Sequence, residues 1–122
     1  MGHTDRNRSI RRLGPALLGL ALALGPALGA AESAIEQGKK LSFDQNKGNC
    51  LACHAMGDGE SPGDIGPPLV AMKARYPDKN ALRTQIWDST VTNPYTIMPP
   101  FGKFKILTEE EIDKVVDYVH GL

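Results

Sequence analysis

Cys50-Leu51-Ala52-Cys53-His54 is the stretch on which the reading of this chain turns. Two thiols separated by two residues and followed at once by an imidazole form the attachment signature of a c-type haem. Cysteines at that spacing each reach one of two neighbouring vinyl groups on a single macrocycle. The next residue then falls beneath the iron, where an imidazole nitrogen is a suitable ligand. A redox dithiol would want a strand before the motif and a helix after it, and a structural zinc site would want a second Cys/His pair downstream. Neither is present: Cys50 and Cys53 are the only cysteines, and the other histidines are His3 and His120. One covalent haem c, tethered by Cys50 and Cys53 and ligated by His54, is the expected cofactor.

Toward the N-terminus, Arg6, Arg8, Arg11 and Arg12 precede an apolar run from Leu13 to Leu28 and the small residues Gly29-Ala30-Ala31. This is the layout of a secretory signal peptide, with an apolar core too short for a retained membrane span. Cleavage is expected after Ala31, with Gly29 nearly as good. Arg11-Arg12 raises twin-arginine export, but haem c attachment outside the cytoplasm requires an unfolded chain, which favours the general export route. A periplasmic, oxidising compartment follows, with no membrane span after signal removal.

Residues 32–122 form one expected domain, carrying ten basic and thirteen acidic side chains. A domain of this size has a small core and often depends on a cofactor or cross-link for stability. With both cysteines bonded to haem, no disulfide is available, so haem is the expected staple. A mildly acidic domain without a basic helix also speaks against a nucleic-acid partner.

The apolar spacing predicts an all-α fold wrapped around one haem. A first helix is expected over 32–46, with Ile35, Gly38, Leu41 and Phe43 on its inner face and Gly38 packed closely against the last helix. A polar loop from Gly57 to Gly63 leads into Ile65-Gly66-Pro67-Pro68-Leu69. Consecutive prolines offer rigid carbonyls without amides of their own, and the Pro67 carbonyl is the expected acceptor for the second ring nitrogen of His54. A short helix over 69–74 stops before Tyr76-Pro77. Asp78 caps a helix over 79–88, with Leu82 and Ile86 inward and Trp87 packed in the core. Thr108-Glu109-Glu110-Glu111 is a capping box with Leu107 and Ile112 as its staple, and Ile112, Val115, Val116, Val119 and Leu122 form the buried stripe of a last helix ended by Gly121.

What fills the second axial position decides between electron transfer and ligand chemistry. Met56 is too close to His54 to reach the opposite haem face, Met72 reads as core, and His120 sits favourably at a helix C-terminus without any iron. Met98 lies in Asn93-Pro94-Tyr95-Thr96-Ile97-Met98-Pro99-Pro100-Phe101-Gly102, where three prolines and two aromatics restrain the backbone. Met98 is therefore the expected axial ligand opposite His54, giving a closed His/Met centre suited to electrons and not to oxygen or peroxide chemistry.

Taken in order, Cys50 to His54, Ile65 to Leu69, Met98 to Phe101 and two terminal helices resemble class I cytochromes c. That resemblance implies thioether roles for Cys50 and Cys53, axial roles for His54 and Met98, and a histidine-orienting carbonyl at Pro67. A narrower resemblance is to the SoxX family, the monohaem subunits of thiosulfate-oxidising SoxAX cytochromes. It rests on Gly48 to His54, Ile65 to Leu69, and Asn93 to Gly102 leading into Ile106-Leu107-Thr108. The resemblance implies a heterodimer with a SoxA-like haem-bearing subunit and a transient electron-acceptor cytochrome. It also implies a carrier protein whose cysteine is joined oxidatively to thiosulfate, as in an L-cysteine S-thiosulfotransferase complex. Sulfur transfer needs a free thiol and both cysteines are taken by haem, so no substrate site or catalytic residue is expected on this chain. Lys47, Lys103 and Lys105 flank the ligand loops and could steer an acidic partner. The alternative is a free, diffusible class I cytochrome c shuttle; a gas sensor or peroxidase would need an open position in place of Met98.

Overall fold

The computed structural model describes residues 32–122 together with Met1 and Gly2; the expected leader and its cleavage point lie outside the described residues. Among the described residues there are helices and loops and no strand, in agreement with the all-α expectation; one isolated parallel bridge joins Met56 to Leu69. The helices are α1 (Ala34–Phe43), α2 (Met72–Arg75), α3 (Lys79–Trp87) and α4 (Glu109–His120), with single 3-10 turns at Cys50–Ala52 and Ser89–Val91.

The first helix is shorter than expected at both ends. Ser33 accepts the Glu36 N–H at 3.2 Å and the Glu36 carboxylate accepts the Ser33 N–H at 3.0 Å, a capping box that fixes the start. At the other end the Asp44 carbonyl accepts from both Lys47 and Asn49 at 3.0 Å, which folds the chain away from the helix axis and toward Cys50. Its inner face also differs from the expected one. Ile35 is 57% exposed and Phe43 half-buried, whereas Gly38 and Ser42 are buried. The reason is the closeness of α4: a Cβ at Gly38 would stand 1.9 Å from the Lys114 carbonyl oxygen, so only the smallest residues fit at the crossing. Ser42 satisfies its hydroxyl on the Gly38 carbonyl at 2.8 Å.

The last helix behaves as its sequence requires except at its end, where Leu122, expected in the buried stripe, lies beyond His120 and is half-buried. Thr108 and Glu111 exchange capping hydrogen bonds, and Leu107 and Ile112 are both buried. Ile112, Val115, Val116 and Val119 are buried in a row, with Tyr118 beside them, and they form the core together with Leu82 and Ile86 of α3. Asp78 caps α3 by accepting the Asn80 N–H at 2.9 Å. Arg83 then ties α3 to α4, reaching Glu109 at 2.5 Å and Asp113 at 2.6 Å, and Lys79 pairs with Asp117. His120 Nε2 meets the Tyr76 carbonyl at 3.0 Å and anchors the end of α4 to the segment after α2. No helix of the described residues is long and apolar enough to cross a membrane.

Candidate haem-binding site

Asn49 enters the motif in the left-handed region (φ 46°), which asparagine tolerates better than most residues. That turn starts the 3-10 segment, and the Cys50 carbonyl accepts from the Cys53 N–H at 3.1 Å and from the His54 N–H at 2.9 Å. The Gly57–Gly63 loop then folds back over the motif: the Gly63 N–H donates to Leu51 at 2.9 Å and the Gly66 N–H to Cys53 at 2.8 Å. These bonds hold both cysteines and the histidine from two sides.

The His54 Nδ1–H donates to the Pro67 carbonyl at 2.7 Å. A carbonyl only accepts, so Nδ1 carries a proton, and in the neutral ring this tautomer leaves the Nε2 lone pair for a metal. Gly66 makes that orientation possible by its lack of a side chain. A Cβ there would lie 2.3 Å from His54 Cε1 and 2.5 Å from Nδ1. One residue further on, the Pro68 carbonyl accepts from Arg75 Nη1 at 2.8 Å, which braces the proline pair from α2.

Cys50, Cys53, His54, Pro67 and Met98, separated by up to 48 positions in the chain, all line one cavity of about 520 Å³. Leu82 and Ile86 contribute to its apolar wall. Burial pushes the Cys50 thiol up to about 11, so it is no ready thiolate nucleophile. An apolar cavity of ligand size, with two adjacent thiols, a pre-oriented imidazole and a thioether around it, is the donor set a haem c requires. The residues present therefore fit that group.

Met98 is half-buried and is gripped at three points. Its N–H donates to Thr96 Oγ1 at 3.1 Å, its carbonyl accepts from Ser89 Oγ at 2.7 Å, and the Gln85 side-chain amide stands 4.0 Å from its sulfur. Sequence reasoning did not find Ser89, Thr96 or Gln85. Ser89 is fully buried, and nothing in Asp88-Ser89-Thr90 beyond its turn character signals where that hydroxyl points. Of the two aromatics expected to restrain this loop, Tyr95 is 93% exposed and only Phe101 is buried. Of the other sulfur ligands considered, Met72 also lines the cavity but is fully buried and its sulfur faces Arg75 Nη1 at 3.4 Å; Met56 is core.

Trp87 is half-buried rather than a plain core residue: its indole N–H donates to the Glu109 carboxylate at 2.8 Å, and its ring lies against Gly102, where a Cβ would meet it at 2.0 Å. Two of the three lysines near the ligand loops are also engaged within the chain. Lys47 pairs with Glu111 at 2.7 Å and Lys103 with the buried Asp88 at 2.9 Å, while Lys105 is exposed.

The family described as cytochrome C oxidase, cbb3-type, subunit III matches residues 33–119, the whole of the helical domain apart from its ends. The chain belongs to this cytochrome c family. Its fold is similar to a chain in the crystal structure of SoxXA from P. pantotrophus, with a TM-score of 0.65 and 28% identity over 79% of this chain and 86% of that one. An uncharacterized lipoprotein from Aquifex aeolicus (strain VF5) is 37% identical over 76 residues, which is 61% of this chain; the chain spans only about a third of that protein's length, 36%. The domain is thus a SoxX-like cytochrome c, and covalently bound haem c is its cofactor, with Cys50, Cys53 and His54 supplying the attachment motif.

Proposed function

We propose that this cytochrome is the electron-transfer subunit of a periplasmic heterodimer of the SoxAX kind, and that its partner carries the sulfur chemistry. In this reading His54 and Met98 are the axial ligands, Pro67 orients His54, and residues 1–31 are a leader removed after general export. The single observation that carries it is the convergence of the attachment motif and Met98 on one cavity, with Met98 fastened through both its backbone N–H and its carbonyl. A thioether is a weak ligand, so a loop built to hold it still is the loop an electron-transfer site needs. When bound, haem c supplies a one-electron couple; the chain's own work is to position donors, exclude water and present the site to a partner.

The likeness to a SoxXA chain supports a SoxA-like partner, and the lipoprotein relative supports a place outside the cytoplasm. In this proposal thiosulfate is joined to a carrier-protein cysteine at the partner's site, and electrons pass through this chain to an acceptor cytochrome. Both thiols here are committed to haem, which leaves this chain without a nucleophile for sulfur. The test is purification from the native extracytoplasmic fraction. A second haem-bearing chain should co-purify stoichiometrically, and deletion should abolish thiosulfate oxidation. Recovery of the chain alone, with thiosulfate oxidation intact in the deletion strain, would establish a diffusible shuttle instead.

A further inference from the structure

Gln85, on the last full turn of α3, lines the cavity, and its side chain is held at both ends. The Thr92 hydroxyl is 2.5 Å from Gln85 Oε1 and 3.2 Å from the Ser89 carbonyl; the shorter contact takes its single proton. With Oε1 so engaged, the amide is oriented and Nε2 is turned toward Met98 Sδ, 4.0 Å away. A thioether sulfur has two lone pairs. If one is given to iron, the second remains free to accept.

We infer that Thr92 and Gln85 form a relay that tunes the Met98 thioether: Thr92 fixes the amide, and the amide N–H donates to the lone pair that the metal does not use. This rests on Met98 being an axial ligand, as proposed above. Such a donor withdraws electron density from the sulfur and makes it a poorer donor to the oxidised iron than to the reduced one. The reduced state gains relative to the oxidised state, and the midpoint potential rises. Gln85 and Thr92 act through Met98 and are positioning residues.

The test uses the holoprotein and reads the midpoint potential together with the weak near-infrared sulfur-to-iron band of the oxidised form. Thr92→Val is nearly isosteric and leaves the cavity wall unchanged, so it isolates the relay from any change in polarity. Gln85→Leu removes the donor itself. In Gln85→Leu the band should persist and the ratio of reduced to oxidised protein at fixed potential should fall about threefold. For a one-electron couple in which tenfold is 59 mV, that is about 30 mV. Thr92→Val should lower the ratio by less, Thr92→Ser should restore it, and Thr92→Val added to Gln85→Leu should change nothing more. A potential unmoved in both single variants, or a further fall in the double variant, overturns the relay. Absence of the band from the wild-type protein would overturn Met98 ligation instead, and so separates the two failures.

Discussion

Gly66→Ala strikes the site at the point where backbone and imidazole are closest. The new Cβ would lie 2.3 Å from Cε1, 2.5 Å from Nδ1 and 2.8 Å from Nε2 of His54, so the ring has to move out of its place. It has little freedom to do so, because His54 follows directly on Cys53 and its Nδ1–H is committed to Pro67 at 2.7 Å. Overpacking of this kind costs about 2 kcal/mol, and the weakened hydrogen bond about 1 kcal/mol more. Gly66 is not in the left-handed region, so alanine also stiffens the unfolded chain and returns about 0.5 kcal/mol. The net loss is about 2.5 kcal/mol. In a domain of this size each kcal/mol is worth roughly 4–8 °C, which places the fall in Tm of the holoprotein at roughly 10–20 °C. The imidazole also becomes a poorer donor as its Nδ1–H···O bond weakens, so the midpoint potential should rise. Thermal unfolding followed by far-UV circular dichroism, with a redox titration of the same sample, reads both effects. A Gly66→Ala holoprotein matching the wild type in Tm and potential would refute the claim that this glycine seats the histidine.

Three further outcomes follow from the packing and the charges. Gly38→Ala gains about 1 kcal/mol of helix propensity but drives a methyl into the α4 backbone at Lys114, so holoprotein stability should fall by about 2 kcal/mol net in a chemical melt; Gly121→Ala, whose nearest atom is 3.2 Å away, should be close to neutral. Thr90 and Lys103 hold the Asp88 carboxyl below the usual carboxylate range. Its contribution is therefore present above the unfolded pKa of about 4 and is lost as pH falls through the lower folded value; Asp88→Asn keeps the cap but should flatten the acid limb of the Tm-against-pH curve, and an unchanged limb would contradict this. Ser89→Ala leaves the carbonyl of half-buried Met98 without its 2.7 Å donor, a cost of about 1 kcal/mol, and the near-infrared band should then be lost at a lower temperature than in the wild type.

Features set by neighbours in sequence are legible in the sequence itself. The attachment motif, the Thr108 capping box with its Leu107–Ile112 staple, the Asp78 cap and the buried valines of α4 all depend on spacings of five residues or fewer, where local physics decides. Gly38 was legible for a different reason: a glycine inside a helix is costly unless something presses on it, and Lys114 does. The Ser33–Glu36 box obeys the same local rule as Thr108–Glu111, yet the apolar spacing alone extended α1 to 32–46 and turned Ile35 inward. Contacts across the chain were not legible. Lys47 finds Glu111 across 64 positions and Trp87 finds Glu109 across 22, and the first-turn position of those carboxylates, which marks a helix start, says nothing of either partner. Tyr95 misled because aromatic residues near prolines often pack, whereas here the loop turns its side chain outward and leaves Phe101 to fill the interior. The grip on Met98 by Ser89, Thr96 and Gln85 depends on how the turn after α3 meets the ligand loop, which no local pattern encodes.

The central claim is that one cavity brings Met98 to the haem that Cys50, Cys53 and His54 attach. The near-infrared sulfur-to-iron band of the oxidised holoprotein tests it most directly, compared across Met98→Ala, Met72→Ala and Met56→Ala. The wild type and the Met72 and Met56 variants should show the band, and Met98→Ala alone should lack it. A band that survives in Met98→Ala, or one that vanishes in Met72→Ala while Met98 is intact, would contradict the account.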